Sequence, residues 1–102
     1  MAELVVLYKT PKDSKAFDKY YFETHVPIAK KLRGLRKYSV SKGAIGTPAG
    51  PSGLHLIAIL TFDSVADIQA AFASAQGKAA AGDLPNFATG GADLHFFETR
   101  EV

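Results

Sequence analysis

The strand-like segments of this chain are apolar on both faces, and its 102 residues carry two helical patterns to cover them. In residues 3–10, Leu4, Val6 and Tyr8 alternate with Val5 and Leu7. In residues 54–62, Leu54, Leu56, Ala58, Leu60 and Phe62 alternate with His55, Ile57 and Ile59. A period of two sends the sets to opposite faces of a sheet. Helices on one face leave the other open, and each apolar side chain left in water forgoes about 1.5–3 kcal/mol of burial. A chain this short also buries only a limited share of its surface alone. The pattern therefore predicts a second copy on the free face, as a two-fold homodimer.

Two further strands are expected. Residues 35–45 form a polar one, in which Leu35, Lys37, Ser39 and Ser41 alternate with Arg36, Tyr38 and Val40. Residues 92–100 set Leu94, Phe96 and Glu98 against Asp93, His95 and Phe97. The first helix opens at Asp13 or Ser14 and carries the stripe Phe17, Tyr20/Tyr21, Thr24, Ile28, Leu32. Pro27 has no N–H for the carbonyl of Glu23 and restricts Val26, so two segments are expected, 14–24 and 27–32, with His25 at a kink. Gly34 is the expected stop. The second helix opens at Ser64-Val-Ala-Asp67, shows Val65, Ile68, Ala71, Phe72 and Ala75 on one side, and is expected to stop at Gly77. Residues 78–91 read as a short helix and a loop carrying Phe87, and 46–53 as the strongest turn signal. The order β-α-β-β-α-β predicts a single α+β domain over residues 1–102. It is a ferredoxin-like sandwich, a four-stranded antiparallel sheet with two helices on one face.

Several function classes are excluded. Without cysteine there is no disulfide framework, thiolate metal site or Cys nucleophile. The three histidines lie far apart in sequence, with no His-x-x-x-His spacing to preorganise a metal, so no metal site is expected. Residues 43–53 lack the lysine and helix of a phosphate loop, and no serine sits in a nucleophile elbow. Ten basic side chains against four acidic ones lie in residues 1–51, and two against six in residues 52–102. The basic cluster Lys30, Lys31, Arg33, Arg36, Lys37 lacks the interleaved aromatics of a nucleic-acid surface and reads as a solvated helix end, so no nucleic-acid partner is expected. No apolar run spans a bilayer and the first residues do not read as a signal peptide. The expectation is a cytoplasmic protein without a membrane partner.

His25 carries the candidate chemistry. An imidazole at a proline kink, beside Tyr20, Tyr21 and Glu23, reads either as a general base with a tyrosine hydroxyl as donor, or as a brace that bonds the freed carbonyl. His55 and His95 read as partly buried strand residues. The aromatic set around Phe17, Phe72 and Phe87 either lines an apolar pocket or packs a core.

The run Tyr21-Phe-Glu-Thr-His25-Val-Pro27, continuing to Gly34-Leu35-Arg36-Lys-Tyr38, resembles the His-x-Pro … Gly-Leu-Arg-x-Tyr signature of the EthD family. Phe62-Asp-Ser64, Ala71-Phe72-Ala-Ser and Asp83-Leu-Pro85-Asn86-Phe87 resemble its second half, so the likeness covers nearly the whole chain. The resemblance implies a dimeric α+β barrel, two ferredoxin-like subunits joined sheet to sheet. It implies a setting in bacterial catabolism, since the family is named for degradation of ethyl tert-butyl ether beside a cytochrome monooxygenase system. Relatives in the wider superfamily include cyclases, isomerases, haem-dependent enzymes and monooxygenases without cofactor. They hold ligands between sheet and helices. By this analogy His25, Tyr21 and Tyr38 are the candidate catalytic residues, and Phe17, Arg36, Phe72 and Phe87 the candidate substrate contacts. The ligand is a small organic molecule, and no cofactor is expected. The catalytic version requires a ligand-sized cavity reached by the His25 ring. The alternative is a non-catalytic ligand-binding module.

Overall fold

The computed structural model describes all residues, Met1–Val102. β1 spans Ala2–Lys9. It is followed by α1 (Ser14–Tyr20), a π-helical turn (Tyr21–His25), α2 (Val26–Ala29), and β2 (Lys37–Val40). Then come β3 (Gly46–Thr47), β4 (Gly50–Pro51), β5 (Leu54–Phe62), α3 (Val65–Ala73), α4 (Ala75–Phe87) and β6 (Ala92–Glu98). Four strands form one antiparallel sheet in the order β2-β5-β1-β6, the expected ferredoxin-like arrangement. The helices cover one face. There Leu4, Val6, Tyr8, Leu56, Ala58, Leu60 and Phe62 pack with Phe17, Tyr21, Ile68, Ala71 and Phe87. On the other face Val5, Leu7 and Ile57 stay half-buried, and Ile59 and Phe97 are exposed.

Four local expectations are corrected. First, the helix does not break at Pro27. Its missing N–H is absorbed by the π turn, in which the Val26 N–H bonds back to the Tyr21 carbonyl, five residues earlier. The wider turn slows rotation along the helix, so Phe17, Tyr21, His25 and Ala29, spaced by four, are all buried. Second, Gly77 is not a stop but lies inside α4, whose N-cap is Ser74. A Cβ at Gly77 would sit 1.9 Å from the Ala71 carbonyl oxygen, so glycine lets the two helices touch. Third, α4 runs on through most of 78–91, and Phe87 is its last residue, not part of a loop. Fourth, a bulge opposite Tyr8 and Lys9 shifts the register of β5. His55 is thereby turned to the helix side, against Phe17, and away from Ile57 and Ile59. The polar second strand pairs only over Lys37–Val40, and β3 and β4 form a small hairpin within the glycine-proline segment.

Candidate active site

α4 lies over the π turn and brings Asp83 to His25, 58 residues away in sequence. The His25 Nδ1 is 2.9 Å from Asp83 Oδ2, and both side chains are buried, at 6% and 7% exposure. Asp83 Oδ1 accepts two more hydrogen bonds, from the Tyr20 hydroxyl at 2.6 Å and from Asn86 Nδ2 at 3.0 Å. Burial alone would raise the Asp83 pKa, but the hydrogen bonds from Tyr20, Asn86 and His25 outweigh it and hold the carboxyl below its ordinary value. An ionised Asp83 accepts only, so Nδ1 of His25 carries the proton. Burial lowers the His25 pKa from its ordinary 6.5, against the opposing pull of Asp83, and keeps the ring neutral at pH 7. In that tautomer Nε2 holds a free lone pair.

Nε2 makes no hydrogen bond within the chain, and no buried side-chain nitrogen or oxygen is left without a partner, so this atom must open onto space. The space is an apolar cavity between the helices and the sheet, lined by Tyr8, His25, Tyr38, Leu32, Phe72 and Leu84 among others. Its volume is about 40 Å³. That suits a water, whereas pockets for small ligands run to roughly 300 Å³ or more. The ligand-sized cavity that the catalytic version requires is thus absent in this conformation, where leucine and phenylalanine side chains line a space of water size. One wall is thin. Leu94 lines the cavity on edge strand β6, where it is 37% exposed and its neighbour Phe96 42%.

The candidate residues separate into three groups. His25 and Tyr38 line the cavity with Phe72. Tyr21 stands behind Tyr38, its hydroxyl 2.5 Å from the Tyr38 hydroxyl. Phe17 and Phe87 are core residues and do not line the cavity. Phe87 packs against the imidazole, with ring centroids 4.6 Å apart. Arg36 stands apart on the surface, where Asp63 takes its guanidinium in a two-pronged pair at 3.1 and 2.7 Å. The brace reading of His25 required a bond to a freed backbone carbonyl, and the partner is instead the Asp83 carboxylate. Two residues of the cluster, Asp83 as a partner and Tyr8 as a cavity residue, were not singled out from the sequence. Asp83 enters from the sequence only through the Asp83-Leu-Pro85-Asn86-Phe87 run that resembles the family's second half. His95 is exposed on β6 and takes no part.

An uncharacterised 11.0 kDa protein from the thcB–thcC intergenic region of Rhodococcus erythropolis is 32% identical over 102 residues, covering 100% of this chain and 98% of the relative. The crystal structure of an ethyl tert-butyl ether degradation family protein from Bacillus halodurans C-125 superimposes with a TM-score of 0.88. Its identity is 35%, over 98% of this chain and 99% of that one. SnoaB of Streptomyces nogalater, a cofactor-independent oxygenase, shares the fold at a TM-score of 0.68 and 14% identity, over 99% of this chain and 94% of its own. Residues 9–91 match the EthD domain, and with the π turn, the His-x-Pro segment and α4 all inside that span, the chain belongs to the EthD family.

Proposed function

We propose that this protein, once its cavity widens around a bound small organic compound, acts as a cofactor-free enzyme of oxidative catabolism in the cytoplasm, with His25 as its general base. The observation that carries the reading is the buried His25–Asp83 pair, which leaves a neutral Nε2 as the acceptor facing an apolar cavity. Such a base takes a proton from carbon or oxygen of a bound substrate. The C–H bond breaks, the proton passes to Nε2, and the electron pair moves onto the neighbouring substrate oxygen. The imidazolium formed is stabilised by Asp83, which also fixes the ring. The resulting enolate is a common entry to two outcomes. It isomerises if the proton returns at another carbon, and it is oxygenated if dioxygen takes its electrons, bonds to the carbanionic carbon and receives the Nε2 proton to give a hydroperoxide. The name of SnoaB, a cofactor-independent oxygenase, supports the second.

Substrate entry requires the cavity to widen. Moving Leu94 with Leu84 or Phe72 at the β6 edge sacrifices little buried surface, since Leu94 and Phe96 are already partly exposed. The open sheet face, with Val5, Leu7, Ile57, Ile59 and Phe97, supports a homodimer. A sedimentation mass near 10.9 kDa at micromolar concentration would refute it.

The base is tested by hydrogen–deuterium exchange, followed by NMR in D₂O, on a panel of small cyclic and aromatic ketones. The expected outcome is catalysed exchange beside the carbonyl for at least one compound. His25→Asn, checked for folding by circular dichroism, should slow it by about 10²–10⁴-fold. Exchange that His25→Asn leaves intact sinks the assignment. Binding of a compound with no exchange and no His25 dependence would leave the ligand-binding module instead.

A further inference from the structure

We propose that Tyr8 and Tyr38 form a two-donor site for a substrate oxygen that gains negative charge, so that the compound turned over at His25 is a small apolar carbonyl compound with an acidic neighbouring C–H. The inference rests on the reading of His25 as the base. It starts from counting hydrogen-bond donors and acceptors. Of the tyrosines in the buried cluster, Tyr20 spends its proton on Asp83. Tyr21 and Tyr38 bond each other, and either oxygen is a geometrically acceptable donor. Satisfaction decides between them. Tyr21 is fully buried, does not line the cavity, and has no other partner for its proton. Donation from Tyr21 to Tyr38 satisfies it and leaves the Tyr38 proton directed at the cavity that Tyr38 lines.

Tyr8 adds a second donor. Its ring is pinned in the core, edge-on to Phe17 and Tyr21 at 5.4 and 5.6 Å. Its hydroxyl bonds nothing within the chain and, since no buried polar side-chain atom is orphaned, opens on the same cavity. The polar side-chain functions of that cavity are thus one acceptor, His25 Nε2, and two donors on β1 and β2, within an otherwise apolar lining. Burial raises the pKa of both phenols, so both remain protonated donors at neutral pH.

One acceptor and two donors match a carbonyl compound losing a proton. The C–H electron pair flows to oxygen as the proton reaches Nε2, and the oxyanion receives two hydrogen bonds that were weaker in the neutral ketone. Preorganised donors of this kind act on the transition state more than on the ground state. A carboxylate or phosphate substrate does not fit, because no lysine or arginine reaches the cavity.

The probe is 4-nitrophenol, whose ionisation is read by absorbance and whose phenolate mimics the enolate oxygen. Wild-type protein is expected to bind it as the phenolate. Tyr8→Phe and Tyr38→Phe keep the ring packing and should each weaken that binding by about ten- to a hundredfold. With any ketone that exchanges, Tyr8→Phe should lower kcat by about a hundredfold or more and change KM little. If His25→Asn abolishes exchange while Tyr8→Phe alters neither phenolate affinity nor kcat, the two-donor site is refuted and the base assignment survives. If phenolate binding depends on Tyr8 but no ketone exchanges, the donor site survives and the proposed function does not. Wild-type protein that binds no phenolate overturns the inference outright.

Discussion

His25 and His55 each meet an aspartate, at 2.9 and 2.7 Å, and the two pairs differ in nearly everything except that contact. His25 and Asp83 are buried together, and Asp83 also answers Tyr20 and Asn86. His55 is 20% exposed and Asp18 is 52% exposed, with no other hydrogen bond to its carboxylate. The shorter contact is the wetter one. The electrostatic part of a hydrogen bond weakens as the local dielectric rises, so solvent around Asp18 cancels what the short distance gains. The pairs also use opposite ring nitrogens. Asp83 takes Nδ1 and leaves Nε2 to the apolar cavity, whereas Asp18 takes Nε2. A histidine next to an aspartate is thus a poor marker of a site until burial and the free nitrogen's surroundings are known.

The largest expected break in this comparison comes from Asp83→Ala. It strands His25, Tyr20 and Asn86 without their common acceptor, two of them in or near the core. Each buried group left without its hydrogen-bond partner costs about 1–3 kcal/mol, so urea denaturation should register a loss of about 2–4 kcal/mol. A loss below about 1 kcal/mol would mean that the network has relaxed and that burial is not what separates the pairs. Asp83→Asn retains an acceptor oxygen and should fall between the wild type and the alanine variant.

Acid sharpens the comparison in a second way. The folded His25 pKa lies below the unfolded value of 6.5, because burial resists the charge. As the pH falls through 6.5 the unfolded chain binds the proton first, so stability declines with falling pH down to the folded pKa. Asp83 has a folded pKa below its ordinary 3.8, and its contribution is lost only at lower pH. His25→Gln should flatten the stability profile just below pH 6.5 and leave the limb below 3.8. Catalysis needs the neutral ring, so the rate should rise with pH and level off below 6.5. A bend above 6.5 would contradict the assignment.

Much of the fold was legible because the strands carry a strong period of two. Residues 54–62 match β5 to the residue, and both helix N-caps at Asp13 and Ser64 are side-chain acceptors as their chemistry predicts. The helix around His25 was half legible. Proline's missing donor was visible, but the chain met it with a wider turn, and the choice between kink and π turn depends on the tertiary burial of Tyr21 and His25. The site's second half was hidden in Ala75–Phe87, where glycine, aspartate and proline read as punctuation. Gly77 is there for close helix packing, and Asp83 for a partner that no local spacing announces. Tyr8 read as one more inward strand residue, since alternation gives the face of a side chain and not whether its hydroxyl finds a partner.

The smallest expected effect belongs to the exposed pair, and it is the most discriminating. His55 packs edge-on against Phe17 at 4.8 Å, so His55→Ala loses ring contacts as well as the hydrogen bond to Asp18. Asp18→Ala loses only the carboxylate. A double-mutant cycle removes the packing cost from the comparison and isolates the coupling. For His55–Asp18 the coupling should be about 1 kcal/mol or less, and it should shrink as salt is raised toward a Debye length of a few ångströms. The same cycle on His25–Asp83 should give a larger coupling that salt barely changes, because ions do not reach the buried carboxylate. Exchange activity should be untouched by Asp18→Ala, which lies outside the His25 cavity. A salt-insensitive coupling at His55 as large as that at His25 would show that solvent is not the variable separating the two, and that the exposed pair is held by a structural constraint beyond its own contact.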